Sequence, residues 1–261
     1  AIKNMKKLLA IGLILMILGC ALVPAFAAER KLADLEPGEV FGYFEKISAV
    51  PRGSGHTKEI SDFLVNFAKE QGFRYIQDET NNVIIFGDGT CSMEDHDPVI
   101  LQCHMDMVCV KDEDSPIDME VEGPDIDHDD TYVFAHGTTL GGDDGIGVAY
   151  VLALLADRGI PHPPLEVIIT VDEETGMYGA AAIDLSELKG KTMINLDYEE
   201  EGVFMVSGAG GCISVIDAGV KREEVGGPCY LLHVKGLRGG HSGVEIDKNH
   251  ANAIKVMDDF L

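Results

Sequence analysis

ILQCHMDMV, residues 100–108, is the stretch on which the reading of this chain turns. It begins as a mostly apolar segment of strand type and then places His104 and Asp106 two residues apart. Side chains at i and i+2 share one face of a strand, so the pair points the same way at the end of the element. Taken alone, a His-x-Asp pair fits two structures. One is a core histidine satisfied by a neighbouring carboxylate. The other is a metal ligand whose tautomer the aspartate fixes. The surrounding sequence has to separate them.

Moving outward, residues 58–71 carry Ile60, Phe63, Leu64, Phe67 and Ala68 at helical spacing and end at Gly72. Short strands are expected near Tyr75 and at 83–86, divided by Asn81-Asn82. A helix is expected over 146–157, followed by buried strands at 165–171 (LEVIITV) and 192–197 (TMINLD). Strands alternating with helices, several of them continuously apolar, predict an α/β fold: a mixed, mostly parallel sheet flanked by helices. In such sheets ligands collect at the carboxyl ends of the strands. The character changes at SGAGGC (207–212), a plausible hinge. Strand patterns at 213–220 and 230–236 and a terminal helix follow. The expected organisation is therefore 1–27 as a targeting segment, 28–207 as a catalytic domain and 208–261 as the start of a second α+β domain. NHANAIKVMDDFL (249–261) stops inside a helical pattern, which reads as an open-ended piece of a longer protein.

The balance of 45 acidic and 20 basic residues gives a formal net charge of −25, which excludes nucleic acid and anionic membranes as expected partners. Residues 112–130 alone hold ten carboxylates and read as a solvated acidic hairpin or loop. The alternating Asp125, Asp127 and Asp129 lack the glycine and closing glutamate of a calcium loop. Six cysteines without a Cys-x-x-Cys pair give no disulfide framework. At the start, Lys3, Lys6 and Lys7 precede an apolar run, and Ala25-Phe26-Ala27 offers a small-x-small cleavage site. This predicts a cleaved secretory signal and an extracytoplasmic protein. Membrane contact is expected only through that segment if it stays uncleaved.

Four polar clusters fall at strand ends or strand-to-helix turns: His104-x-Asp106, Gly141-Gly142-Asp143-Asp144-Gly145, Asp172-Glu173-Glu174 and Asn195-Leu196-Asp197. Any one of them could cap a helix. Together they meet at one edge of the expected sheet, where several carboxylates are costly without cations. One histidine with several carboxylates and no thiolate suits divalent zinc, cobalt or manganese.

LQCHMDMV, GTTLGGDDGIGVA, VDEETGMYGA and INLDYEEEG resemble the successive signatures of the di-zinc exopeptidase family of carnosinases, aminoacylases and carboxypeptidase G. Within it, HGTTLGGDDGIG and GLRGGHSGVEI are most similar to the Xaa-His dipeptidases, also called aminoacyl-histidine dipeptidases or peptidase D. The resemblance implies a metal-dependent dipeptidase acting on Xaa-His, carnosine-like or broader dipeptides. His104 would bind one metal with Asp106 behind it, Asp143 would bridge two metals, Asp197 would complete the first site and Glu174 would bind the second. Glu173 would be the general base. His241, in the lid motif GGHSG, would help hold the substrate carbonyl across a homodimer interface. Two divalent ions, zinc foremost with cobalt or manganese as substitutes, are the implied cofactor.

Two departures from the family pattern stand out. Gly142 and Asp144 replace an alanine and an asparagine, and the extra carboxylate either modifies the metal site or faces solvent. The second metal site also needs a histidine from a C-terminal return segment, which the 261 residues do not contain; His250 lies in a different motif. Competing readings are an N-acyl amino acid deacylase or tripeptide aminopeptidase of the same chemistry, and a catalytically incomplete metal-binding remnant.

Overall fold

A computed structural model describes residues 30–198, 200–208, 210, 214–224, 226–240 and 245–260. The chain divides into two compact units, Ala1–Val206 and Ser207–Leu261. The first is built on a five-stranded sheet with strands β1 (Arg74–Gln77), β2 (Val83–Gly87), β3 (Val99–His104), β6 (Leu165–Thr170) and β7 (Thr192–Asn195), in the order β1-β2-β6-β3-β7. β2 runs antiparallel to both β1 and β6, while β3 is parallel to β6 and β7. Only β2 is therefore reversed, and the mixed, mostly parallel sheet expected from the sequence is what forms. A separate hairpin at the end of the acidic segment joins β4 (Ile126–His128) to β5 (Val133–Ala135). The Asp129 carboxylate closes its turn by accepting the backbone N–H groups of Thr131 and Tyr132, both at 2.7 Å.

Three helices complete the core. α1 (Gly38–Ser48) buries Val40, Tyr43, Phe44 and Ile47, spaced as one helical face. α2 (Lys58–Gln71) buries Ile60, Leu64, Val65, Phe67 and Ala68 and stops where Gly72 turns left-handed at φ 77°. α3 (Gly142–Ala156) packs against α1 and β3 through Val148, Val151, Leu152 and Leu155. These side chains share one core with Val83, Ile85, Leu101, Cys103, Val167 and Ile169 of the sheet. All six residues of the central strand β6 are buried, and Glu166, the one charge among them, accepts the backbone N–H groups of Lys189 and Gly190 at 2.8 and 2.9 Å.

Two expectations change. The strand TMINLD is not buried, because β7 is an edge strand paired on one side only, and Met193 and Ile194 lie exposed. In the second unit, the described residues of the stretches at 213–220 and 230–236 form no strand. Their apolar side chains, among them Val215, Ile216, Tyr230 and Leu231, are exposed, so no burial holds an extended ladder there. That unit's described elements are a 3-10 turn at Ile246–Lys248 and the helix α5 (Ala253–Phe260), which follows α4 (Tyr178–Ala182) of the first unit.

Candidate metal centre

Parallel pairing makes the site. β3 and β6 are in register from Val99↔Leu165 to His104↔Thr170, and Gln102 faces Asn195 of β7. The chain therefore leaves all three strands at the same edge, carrying His104, then Asp172-Glu173-Glu174, then Asp197 to one place. Asp143 joins them from the first turn of α3, which begins at Gly142 rather than near residue 146. That first turn is not regular: Asp143 and Asp144 have non-helical backbone angles, and the peptide bond between them is cis.

His104 is fully buried, and its two ring nitrogens meet different surroundings. Nδ1 lies 3.3 Å from Asp106 Oδ1 and 3.0 Å from the Asp106 carbonyl oxygen. Asp106 is fully buried too, and it also accepts hydrogen bonds from Ser54 Oγ at 2.7 Å and from the Glu173 backbone N–H at 3.1 Å. A ring whose Nδ1–H donates to a carboxylate presents a lone pair at Nε2. Nε2 faces Asp143 Oδ1 at 3.1 Å, Asp197 Oδ2 at 3.9 Å and Glu173 Oε2 at 4.0 Å. The side chains of Asp143, Asp197 and Glu173 are 42, 27 and 27% exposed, so this side is open.

Two donor sets arise, His104 with Glu173 and Asp197, and His104 with Asp143 and Glu174, the donor atoms of each lying within 4.8 Å of one another. An imidazole nitrogen and carboxylate oxygens are donors that divalent zinc, cobalt or manganese accept, and the crowding of acids explains why a cation fits. Burial, then the charges of Asp143 and Glu173, raises the Asp197 carboxyl to about 6 against the lowering effect of His104. Burial and the Asp143 charge also raise Glu174. Burial works against the charged form of His104, but the hydrogen bonds its ring donates to the Asp106 and Asp143 carboxylates outweigh it and raise its pKa to about 11; a cation at Nε2 would take the place of the proton there. Asp106 moves the other way. Its burial is outweighed by the donors from His104, Ser54 and Glu173, which keep it below the usual carboxylate range.

The structure brings His104, Asp106, Asp143, Glu173, Glu174 and Asp197 together; His241 lies outside the described residues. Asp144 does not face solvent. It is 2% exposed, its Oδ2 accepts the His104 backbone N–H at 3.3 Å, and its Oδ1 accepts the Gly147 N–H at 3.2 Å. Burial raises its pKa to about 7. A side chain at position 147 would collide with the Asp144 carboxylate, which accounts for that glycine.

Two supporting residues were not marked by the sequence. Arg52 is buried with its guanidinium donating to the carbonyls of Met105, at 3.2 Å, and of Gly141, so it ties the end of β3 to the turn before α3. Gly141 sits at φ 69° against Arg52 and Met107, where a side chain would meet both. Ser54, which donates to Asp106, is the other. Asp172 adopts φ 54°, and its Oδ1 accepts the Gly55 N–H at 2.6 Å, which fixes the turn that presents Glu173 and Glu174. The only local signal is PRGSG (51–55), a Pro/Gly-rich loop between two helices with one arginine in it.

Residues 100–246 match the profile of Peptidase family M20/M25/M40. The chain is 40% identical over 233 residues to the cytosol non-specific dipeptidase of Escherichia coli K12, covering 88% of this chain and 48% of that protein. It superposes on the aminoacylhistidine dipeptidase of Vibrio alginolyticus with a TM-score of 0.64 and 41% identity, covering 67% of this chain and 36% of the other. For an aminopeptidase of Bacillus cereus the TM-score is 0.52 at 26% identity, over 62% of this chain and 43% of that one. The chain spans about half the length of the curated relative it matches.

The comparison corrects one expectation. A signal-bearing, extracytoplasmic or membrane-anchored protein conflicts with the Escherichia coli relative, which is named as a cytosol enzyme and aligns over most of this chain. Residues 1–27, which carried that reading, lie outside the described residues, and among the described ones no helix is long and apolar enough to cross a membrane. The motifs, the sheet edge that gathers them and the profile match agree on one family, which is metal-dependent: the chain belongs to peptidase family M20/M25/M40.

Proposed function

We propose that the cluster at the strand ends is the centre of a metal-dependent dipeptidase, acting on Xaa-His or a broader range of dipeptides. The observation that carries this reading is the two-sided setting of His104, with Nδ1 held by buried Asp106 and Nε2 turned toward a set of partly open carboxylates. The names of the Escherichia coli and Vibrio relatives support a dipeptide substrate.

The assignment of roles is ours. His104 and Asp197 would hold one divalent ion, Glu174 the other, and Asp143 both, with zinc the first candidate and cobalt or manganese able to replace it. When bound, such ions supply Lewis acidity to a carbonyl and acidify water toward neutral pH. Glu173 is assigned the proton transfers, taking one from the attacking water and delivering it to the leaving amine. A bound cation would keep Glu174 ionised, so the adjacent glutamates would take different tasks. His241 is proposed to hold the substrate carbonyl. Residues 208–261 are proposed as the beginning of a lid through which two copies pair, with 28–207 as the catalytic part.

The test is Glu173→Gln in the full-length, metal-loaded protein. Hydrolysis should fall by about 10²–10⁴-fold while the metal stays bound. Near-normal turnover would overturn the assignment, as would loss of metal together with activity, which would make Glu173 a ligand.

A further inference from the structure

A cavity of about 600 Å³ opens beside the donor cluster, within the first unit. Its apolar lining is Met107, Val108 and Met119, and Glu174 forms part of its wall. Val108 is exposed into open space while Met107 and Met119 are buried, so the cavity has a packed floor and an accessible flank. Gly53 borders it as well, and a side chain there would come within 2.8 Å of Cys109 Sγ, so the glycine keeps that wall thin. The ionisable residues around it are Asp118, Glu120 and Glu174 against His56 and Lys111, and the Lys111 ammonium is already engaged with the Ile117 carbonyl at 2.6 Å.

We propose that this cavity receives the side chain of the substrate's amino-terminal residue and favours a leucine- or methionine-sized apolar group there. The inference rests on the dipeptidase reading above. Three features carry it. Sharing Glu174 with the donor cluster puts the cavity next to the place where a scissile bond would lie. The thioether and isopropyl lining matches flexible or branched aliphatic groups, which such surfaces accommodate by adjusting their own rotamers. Asp118 and Glu120, which the metal assignment leaves uncommitted, suit a residue bearing a free ammonium and oppose one bearing a free carboxylate, which selects the amino-terminal side of a dipeptide.

The experiment uses the full-length, metal-loaded protein with Leu-Gly, Gly-Gly and Gly-Leu. Leu-Gly should exceed Gly-Gly in kcat/KM by about tenfold or more, the discrimination available from a few buried methylenes, with a smaller gain for Gly-Leu. Val108→Phe, which narrows the accessible flank, should lower the Leu-Gly to Gly-Gly ratio by about tenfold. An unchanged ratio, or equal rates for Leu-Gly and Gly-Gly in the parent protein, would overturn the proposal. A second readout does not depend on hydrolysis. With ¹³C-methyl methionine, leucinamide should shift the Met107 and Met119 resonances and glycinamide should not. Shifts without hydrolysis of any dipeptide would sink the dipeptidase reading and leave the cavity assignment standing; absent shifts would sink the cavity assignment alone.

Discussion

On its Nδ1 side the His104 ring meets a finished structure: a buried aspartate whose oxygens also take a serine hydroxyl and a backbone N–H. On its Nε2 side it meets carboxylates that face one another and lie partly open to water. Burial alone does not separate the two halves, since Asp144 is as buried as Asp106 yet its pKa is raised where that of Asp106 is lowered. Donors separate them. Asp106 has charge-assisted and side-chain donors, which stabilise its ionised form, and Asp144 has backbone N–H groups only, with Asp197 and Asp143 adding like charge. The closed half sets a direction, and the open half supplies charge that a cation can neutralise.

That contrast can be broken from either half. The largest effect is expected in the open half, where Glu173→Gln abolishes most turnover. In the closed half, Asp106→Ala should weaken divalent-metal binding by about 10–100-fold, because the ring loses the group that fixes its tautomer and orientation. Titration calorimetry against zinc or cobalt reads this, and an unchanged affinity would mean that Nδ1 needs no partner. Arg52→Met should cost about 1–3 kcal/mol of stability in urea unfolding, since it strands the Met105 and Gly141 carbonyls in the interior. A neutral result would mean that the turn before α3 holds itself. Ser54→Ala is the smallest, about 1 kcal/mol, because two of the three donors to Asp106 remain.

The same contrast marks what could be read from the chain. The open half was legible because parallel strands end at one edge, so polar clusters after β3, β6 and β7 had to meet; the motifs only needed placing on strands. Asp106 was legible through period-two alternation from His104. Arg52 was not, because its acceptor Gly141 is 89 residues away and nothing near PRGSG encodes that contact. The buried state of Asp144 was left open for a similar reason: it depends on which way an irregular first turn points its side chain, and helical periodicity does not describe that turn. β7 illustrates the limit from the other side. Its apolar sequence identifies a strand, but exposure is set by the neighbour that a sheet edge lacks.

The most direct measurement is cobalt binding to the metal-stripped, full-length protein, followed by visible absorption and calorimetry, beside the His104→Ala variant. The account predicts saturable, stoichiometric binding with carboxylate and imidazole ligand signatures, lost or weakened at one site when His104 is replaced. Binding that is unsaturable, or that His104→Ala leaves unchanged, would contradict it.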